Sequence, residues 1–329
     1  MKKKILLLSA IMTLSALMAS CSGSGKIKIG ILQPAEFPAL DNAREGFKKA
    51  LANAGYNEDK VEFIYRNAGG VAADIVAFSK DLVGRCDMTL GIATDPSAAL
   101  LSASIDKGIT NPVLFTAVTD PVGKGLVSSL ENGSGFVTGT SDINPVEDQV
   151  SLIKECNPTA DKVGILYTQS EQNSVVQANK AKAALEASGI SVSVQTATGP
   201  SDVSSAASAL ASVDGLDAIY IPTDNNIAKN TNAVKSAVQG SGILVVCGEE
   251  GMLADCGSVT LSVNYTKLGE EVGKMAVSIL NKEKKAGEIP VGFMSKEECE
   301  YVMSSANAAA AGVSLPESVT SKCRDISLG

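Results

Sequence analysis

Residues able to hold a small charged ligand gather, in this chain, just after short apolar runs. Gln33-Pro34-Ala35-Glu36-Phe37-Pro38-Ala39-Leu40-Asp41 follows the first run, Thr94-Asp95-Pro96-Ser97 the third and Thr116-Ala117-Val118-Thr119-Asp120-Pro121 the fourth. Later come Thr138-Gly139-Thr140-Ser141-Asp142, Thr168-Gln169-Ser170-Glu171, Thr223-Asp224-Asn225 and Gly248-Glu249-Glu250-Gly251. Hydroxyls and free N–H groups at a helix start hold carboxylates, which suits Asp95 to Ser97 and Thr116 to Thr119. Asp142, Asp224 and Glu250 are the candidate partners for an ammonium. Glu250 ranks first, because the flanking glycines let backbone come close. Singly, Asp95 reads as a helix cap, Asp120-Pro121 as a turn and Glu249-Glu250 as solvated charge. Seven clusters at equivalent positions read as a site for a zwitterion.

Four aromatic side chains stand at or near the same run ends: Phe37, Phe115, Tyr167 and Tyr220. Phe115 and Tyr220 have apolar neighbours and read as core. Phe37, among prolines and polar residues, is the best placed to cover a ligand ring.

Other chemistries are excluded by what the chain lacks. It has 329 residues and no His, which removes imidazole bases, Ser-His-Asp triads, Cys-His pairs and His-bound zinc. There is no Gly-x-Ser-x-Gly, no phosphate-binding Gly-rich loop with Lys-Ser/Thr, and no metal-ligand spacing. The carboxylate pairs Glu36 with Asp41, or Asp224 with Glu250, are the only hydrolytic arrangement available. A binding protein without catalytic residue, cofactor or metal is expected. A formal charge of −8 leaves no basic face for phosphates, so nucleic acid is not an expected partner.

The elements that must position these residues alternate. Ile27 to Leu32 is a continuous apolar run, as a parallel strand buried on both faces should be. Leu40 to Ala54 then carries Leu40, Ala43, Phe47, Ala50 and Leu51 at helical spacing, and Gly55 ends it. Strands are predicted at Val61–Tyr65, Met88–Ala93, Val113–Phe115, Val137–Gly139, Val163–Tyr167, Ser191–Gln195, Ala218–Ile221, Ile243–Cys247 and Val259–Val263, with helices between most of them. This predicts a doubly wound α/β fold. The pattern also repeats: Lys28-Ile-Gly-Ile-Leu-Gln33 returns as Lys162-Val-Gly-Ile-Leu-Tyr167, and the following helices match. Two similar lobes are implied, with ligand bound beyond the carboxyl ends of the strands.

The N-terminus reads as an address. Met1-Lys2-Lys3-Lys4 precedes an apolar run from Ile5 to Ala19, too short to span a bilayer. Leu17-Met18-Ala19-Ser20-Cys21 resembles the lipobox of bacterial lipoproteins, in which the Cys is acylated and becomes the new N-terminus. Residues 1–20 would be the signal peptide and 21–26 the tether. Six cysteines remain: Cys86, Cys156, Cys247, Cys256, Cys299 and Cys323. Bridges Cys247–Cys256 and Cys299–Cys323 are close enough in sequence, free buried thiols are equally open, and sequence does not choose.

With two Rossmann-like lobes and a lipid anchor, the chain resembles the type I substrate-binding proteins of ABC importers. Gln33 with Phe37 to Phe47, Thr116-Ala-Val-Thr-Asp-Pro-Val122, Val137 to Asp142 and Tyr220 to Asn225 resemble, more narrowly, the tryptophan-importer binding-protein family. The likeness runs from Lys26 to Ser318, and Phe37 stands where His is common. The resemblance implies parallel sheets in two lobes joined by a three-crossover hinge, near Gly139, Asp255 and Pro290. Lobe 1 would then comprise 27–139 plus 256–290, and lobe 2 140–255 plus 291–329. It also implies a monomer that closes on an aromatic amino acid (Trp, Phe or Tyr) and hands it to ABC permease subunits with a cytoplasmic ATPase. Ala117 and Thr119 fall where related proteins hold a carboxylate, and Glu250 where they hold the ammonium. The rival readings are a binding lipoprotein for a sugar or nucleoside, or a receptor feeding a membrane sensor. Scarce Arg at the strand ends and the absence of Trp count against a sugar.

Overall fold

The computed structural model describes residues 25–328; the signal peptide and Cys21 lie outside them. The first sheet takes β1 (Ile27–Gln33), β2 (Val61–Asn67), β3 (Met88–Ile92), β4 (Val113–Thr116), β5 (Val137–Ser141) and β11 (Gly292–Phe293) in the order β11-β5-β4-β3-β1-β2. The second takes β6 (Lys162–Thr168), β7 (Ser191–Ala197), β8 (Ala218–Ile221), β9 (Leu244–Cys247), β10 (Val259–Ser262), β12 (Glu300–Met303) and β13 (Arg324–Asp325) in the order β13-β12-β10-β9-β8-β6-β7. All neighbours are parallel except β10 and β12. The helices that concern the site are α1 (Pro38–Asn53), α2 (Ala72–Arg85) and α3 (Thr94–Lys107) in the first lobe. In the second they are α4 (Val146–Cys156), α5 (Gln172–Ala187), α6 (Val203–Ala211), α7 (Asn225–Ala228) and α8 (Thr231–Val238). Helix α9 (Tyr265–Leu280) returns to the first lobe, and a 3-10 turn Glu250–Ala254 follows β9.

Each sheet is covered on both faces, which is why its strands read as apolar runs. Along β1, Ile29 and Ile31 join one buried cluster with Phe47, Leu51 and Leu268, while Leu32 joins another with Leu82, Leu100 and Phe115. The internal echo has a packing cause. A Cβ at Gly30 would meet Cys86 Sγ at 2.9 Å, and one at Gly164 would meet Leu210 at 2.8 Å, so each glycine lets α2 or α6 seat on its sheet. The lysines before them behave alike too: the Lys28 N–H donates to Asp87 and the Lys162 N–H to Asp217.

The chain crosses between lobes at residues 142–145, 263–264 and 294–299. The first and third crossings lie just beyond the expected Gly139 and Pro290, because β5 runs on to Ser141 and β11 pairs with it. The second is displaced from Asp255: β10 still pairs with β9 and β12, so the apolar stretch after Cys256 belongs to the second sheet. Residues 256–262 are therefore part of the second lobe. After this crossing α9 lies against α1 at backbone contact, since Cβ atoms at Gly46 and Gly269 would sit 2.2 Å from Thr266 O and 2.0 Å from Ala43 O. Among the described residues, all six cysteines are free thiols, no helix is long and apolar enough to cross a membrane, and no acidic or thiol cluster suits a metal.

Candidate functional site

The strand ends of the two sheets face each other across a pocket. The first lobe contributes Phe37, Leu40, Ala93, Thr94, Ala117, Thr119 and, at the start of α9, Tyr265; the second contributes Asn173, Thr223, Asp224, Asn225, Ala228, Glu249 and Met252; the first crossing contributes Asp142. The lobes touch around it. Gln177 of α5 donates to Thr119 Oγ1 at 3.2 Å, and Lys229 donates to the Gly69 carbonyl at 2.5 Å.

On the first-lobe side the wall is backbone held in unusual conformations. Ala93 and Ala117, at the ends of β3 and β4, have φ of 74° and 55°, a region costing a non-glycine residue about 1–3 kcal/mol. Ser97 holds the first of these turns, donating to the carbonyls of Gly91 and Ala93. Ala93 supplies no capping side chain to α3, Pro96 has no N–H and the Ser97 N–H bonds the Ala93 carbonyl, so the Thr94 and Asp95 N–H groups are the ones left for an anion. The hydrogen bonds of the described residues include none donated by the Ala117 or Thr119 N–H.

Opposite this wall the charge is acidic. Glu249 is 1% exposed. Its Oε2 accepts from the Gly251 N–H at 2.5 Å, whereas Oε1 has no hydrogen-bond partner. Burial pushes its carboxyl up to about 7. Asp142 is also buried and raised by desolvation, and it accepts from Thr119 Oγ1 at 3.0 Å and Tyr265 Oη at 2.8 Å. Asp224, raised by burial as well, caps α7 through the Ile227 N–H and accepts from the Thr168 N–H and hydroxyl. Of these three acids, Glu249 alone has an unused oxygen.

Seven of the residues expected from sequence line this pocket: Phe37, Thr94, Ala117, Thr119, Asp142, Asp224 and Asn225. Others support it. Gln33 donates to Ala35 O and Asp41, fixing the turn into α1. Thr116 bonds Thr140, and Ser141 donates to Val118 O, tying β4 to β5. Asp120 accepts from the Gly123 N–H, and exposed Asp95 pairs with Lys124. Tyr167 packs on the second-lobe core, away from the pocket. Phe115 is buried in the first-lobe core, and Tyr220 in the second donates to Gln149.

Glu250 lies elsewhere. Its carboxylate is outside this pocket and pairs with Arg324 at 2.8 Å, beside an adjoining cavity. Its neighbour Glu249 lines the pocket instead. In a turn after a strand no periodicity tells which of two adjacent side chains points inward, so the two were indistinguishable by sequence. Asn173 and Tyr265 were missed because they begin helices and follow no strand directly.

A two-lobed α/β body with a ligand pocket between strand ends defines a binding protein with a hinge. The chain belongs to the ABC transporter substrate binding protein family, whose model matches residues 28–326. The family consists of binding proteins and not enzymes. A tyrosine-binding protein of Clostridioides difficile (strain R20291) is 34% identical over 278 residues, covering 82% of this chain and 77% of that one. Among solved structures, an ABC domain from Streptococcus pneumonia in complex with L-Trp is 34% identical with TM-score 0.84, covering 92% and 99% of the two chains. The ligand-free, open structure of a substrate-binding protein with adhesive properties from Clostridium difficile is 31% identical with TM-score 0.68, covering 91% and 99%. At similar identity, this structure superposes more closely on the complex with L-Trp than on the ligand-free, open one.

Proposed function

We propose that this chain is the extracytoplasmic, Cys21-anchored binding lipoprotein of an ABC importer, and that it captures an aromatic L-amino acid by closing its lobes. The unpartnered Glu249 Oε1, buried in the inter-lobe pocket, carries the reading. A buried carboxylate oxygen without a partner costs free energy, and a ligand ammonium supplies the missing donors and the missing charge. The N–H groups of Ala117, Thr119 and the start of α3, across the pocket, suit the ligand carboxylate. Phe37, Leu40, Ala228 and Met252 form the apolar remainder, suited to a ring. The names of the tyrosine-binding relative and of the Trp complex support the same class.

Closure couples the two halves. Glu249 and Asn225 belong to one lobe and Ala117 and Thr119 to the other, so the full set of contacts exists only when the lobes meet. The closed form is then what a permease would distinguish. Native mass spectrometry of the protein purified from its host tests the capture. A bound mass matching Trp, Tyr or Phe, released on unfolding, supports the reading; a bound hexose or nucleoside contradicts it.

A further inference from the structure

Glu171, the residue before α5, is buried behind the pocket and gathers four N–H groups. Its Oε2 accepts from the Asn225 N–H at 3.0 Å, from Asn225 Nδ2 at 2.6 Å and from Asn173 Nδ2 at 3.4 Å, and its Oε1 accepts from the Asn226 N–H at 2.9 Å. Asn173 Nδ2 also donates to Thr223 O at 2.9 Å. Both side-chain amides are thus held by their nitrogen ends. The hydrogen bonds of the described residues include none accepted by Asn173 Oδ1 or Asn225 Oδ1, and both residues line the pocket. Asn173 is 7% exposed, and Asn225 is half-buried.

Burial, then the neighbouring Asp224 carboxyl, pushes Glu171 up to about 8.

Asn225 also stands beside apolar residues of the pocket. Asn225 and Ala228 lie three apart on α7 and share a face; Ala228 packs against the cluster containing Phe37, Ala39 and Leu40. Glu249 follows β9, one strand nearer the hinge than β8, which precedes Asn225. Glu249 and Asn225 thus follow neighbouring strands and line the same pocket.

We propose that Asn173 and Asn225, oriented by Glu171, form a specificity site that accepts a hydrogen bond from the ligand's ring. The ligand class is then narrower than aromatic: indole N–H or phenol O–H side chains are favoured over phenyl. The inference rests on the aromatic amino-acid reading above. A pocket built to accept a ring proton rejects an analogue without one, because amide oxygens covered by the ligand then stay unpaired.

The test is calorimetric titration of ligand-stripped protein with L-Tyr, L-Trp, L-Phe and L-4-methylphenylalanine, the last filling the space of tyrosine without its O–H. Tyr and Trp should bind at least about tenfold more tightly than Phe and the methyl analogue. Asn225→Leu should remove that ratio by weakening Tyr and Trp while leaving Phe nearly unchanged. Equal affinity for Tyr and 4-methylphenylalanine in the unmodified protein would overturn the inference, and so would equal weakening of all four ligands by Asn225→Leu. Should Asn225→Leu fail to fold, the ligand series on the unmodified protein decides alone. No binding of any of the four would overturn the aromatic reading itself.

Discussion

Glu249 and Glu250 are adjacent in sequence and opposite in role: the first has a buried carboxylate oxygen with no partner, and the second reaches Arg324 at 2.8 Å on the far side of the turn. Exchanging Glu249 for Gln should therefore cost ligand affinity heavily. Removing one partner of a buried charge pair costs about 2–5 kcal/mol, at least a thirtyfold loss at about 1.4 kcal/mol per tenfold. Glu250→Gln removes a surface pair worth about 0–1 kcal/mol and should leave affinity within about fivefold. Titration of both variants checks this, and the opposite ranking would return the ammonium to Glu250.

The pH dependence follows from the same group. Burial raises Glu249 from the ordinary carboxylate value of about 4.3 to about 7. Its stability contribution is then complete below the unfolded value and is lost as pH rises through about 7. Ligand-free protein should accordingly melt at a lower temperature at pH 8 than at pH 5, and saturating ligand should reduce the difference. Binding an ammonium favours the ionised carboxylate, so protons are released on binding near pH 7 and affinity falls below it. Titration heats in phosphate and in Tris should differ by the buffers' ionisation heats; identical heats would exclude a titrating Glu249.

Helix α9 links packing to the site. A methyl at Gly269 would lie 2.0 Å from Ala43 O, so Gly269→Ala must push α9 off α1. Overpacking of this kind costs about 1–3 kcal/mol, and the melting temperature should drop by several degrees. Because α9 begins with Tyr265, which donates to Asp142, ligand affinity should fall too. Lys274→Ala, at an exposed position on the same helix, should change neither quantity.

Across the mouth of the cleft, Lys229 donates to the Gly69 carbonyl, and Gly70 leaves room for the ammonium, since a Cβ there would lie 3.1 Å from Nζ. The contact joins the lobes and exists only when they meet. One such hydrogen bond contributes about 0.5–1.5 kcal/mol. Lys229→Ala should speed ligand dissociation about two- to tenfold in stopped-flow measurements, with association unchanged. An unaltered dissociation rate would show that this contact does not hold the lobes together.

The parallel strands were readable because burial on both faces writes a continuous apolar run, and the repeat was readable because each lobe needs a glycine under a helix, at Gly30 and Gly164. Strands β11 and β13, two residues each, carry no period and were not. The second crossing was read too early for a related reason: the apolar residues of β10 fit either lobe, and only pairing with β9 and β12 decides. At the site, strand-end position led to Thr94, Ala117, Thr119, Asp142, Asp224 and Asn225. It could not show the left-handed backbone at Ala93 and Ala117, nor the one-residue register that separates Glu249 from Glu250, since both are set by tertiary contacts.

Capture of an aromatic amino acid between the lobes can be followed with L-Trp itself, because the chain contains no Trp. Ligand-stripped protein should saturate with added L-Trp at a one-to-one ratio, its emission shifting to shorter wavelength as the indole enters the apolar end of the pocket. L-Tyr should displace it, and ribose should not. An emission spectrum unchanged by protein, or displacement by ribose and not by L-Tyr, would contradict the account.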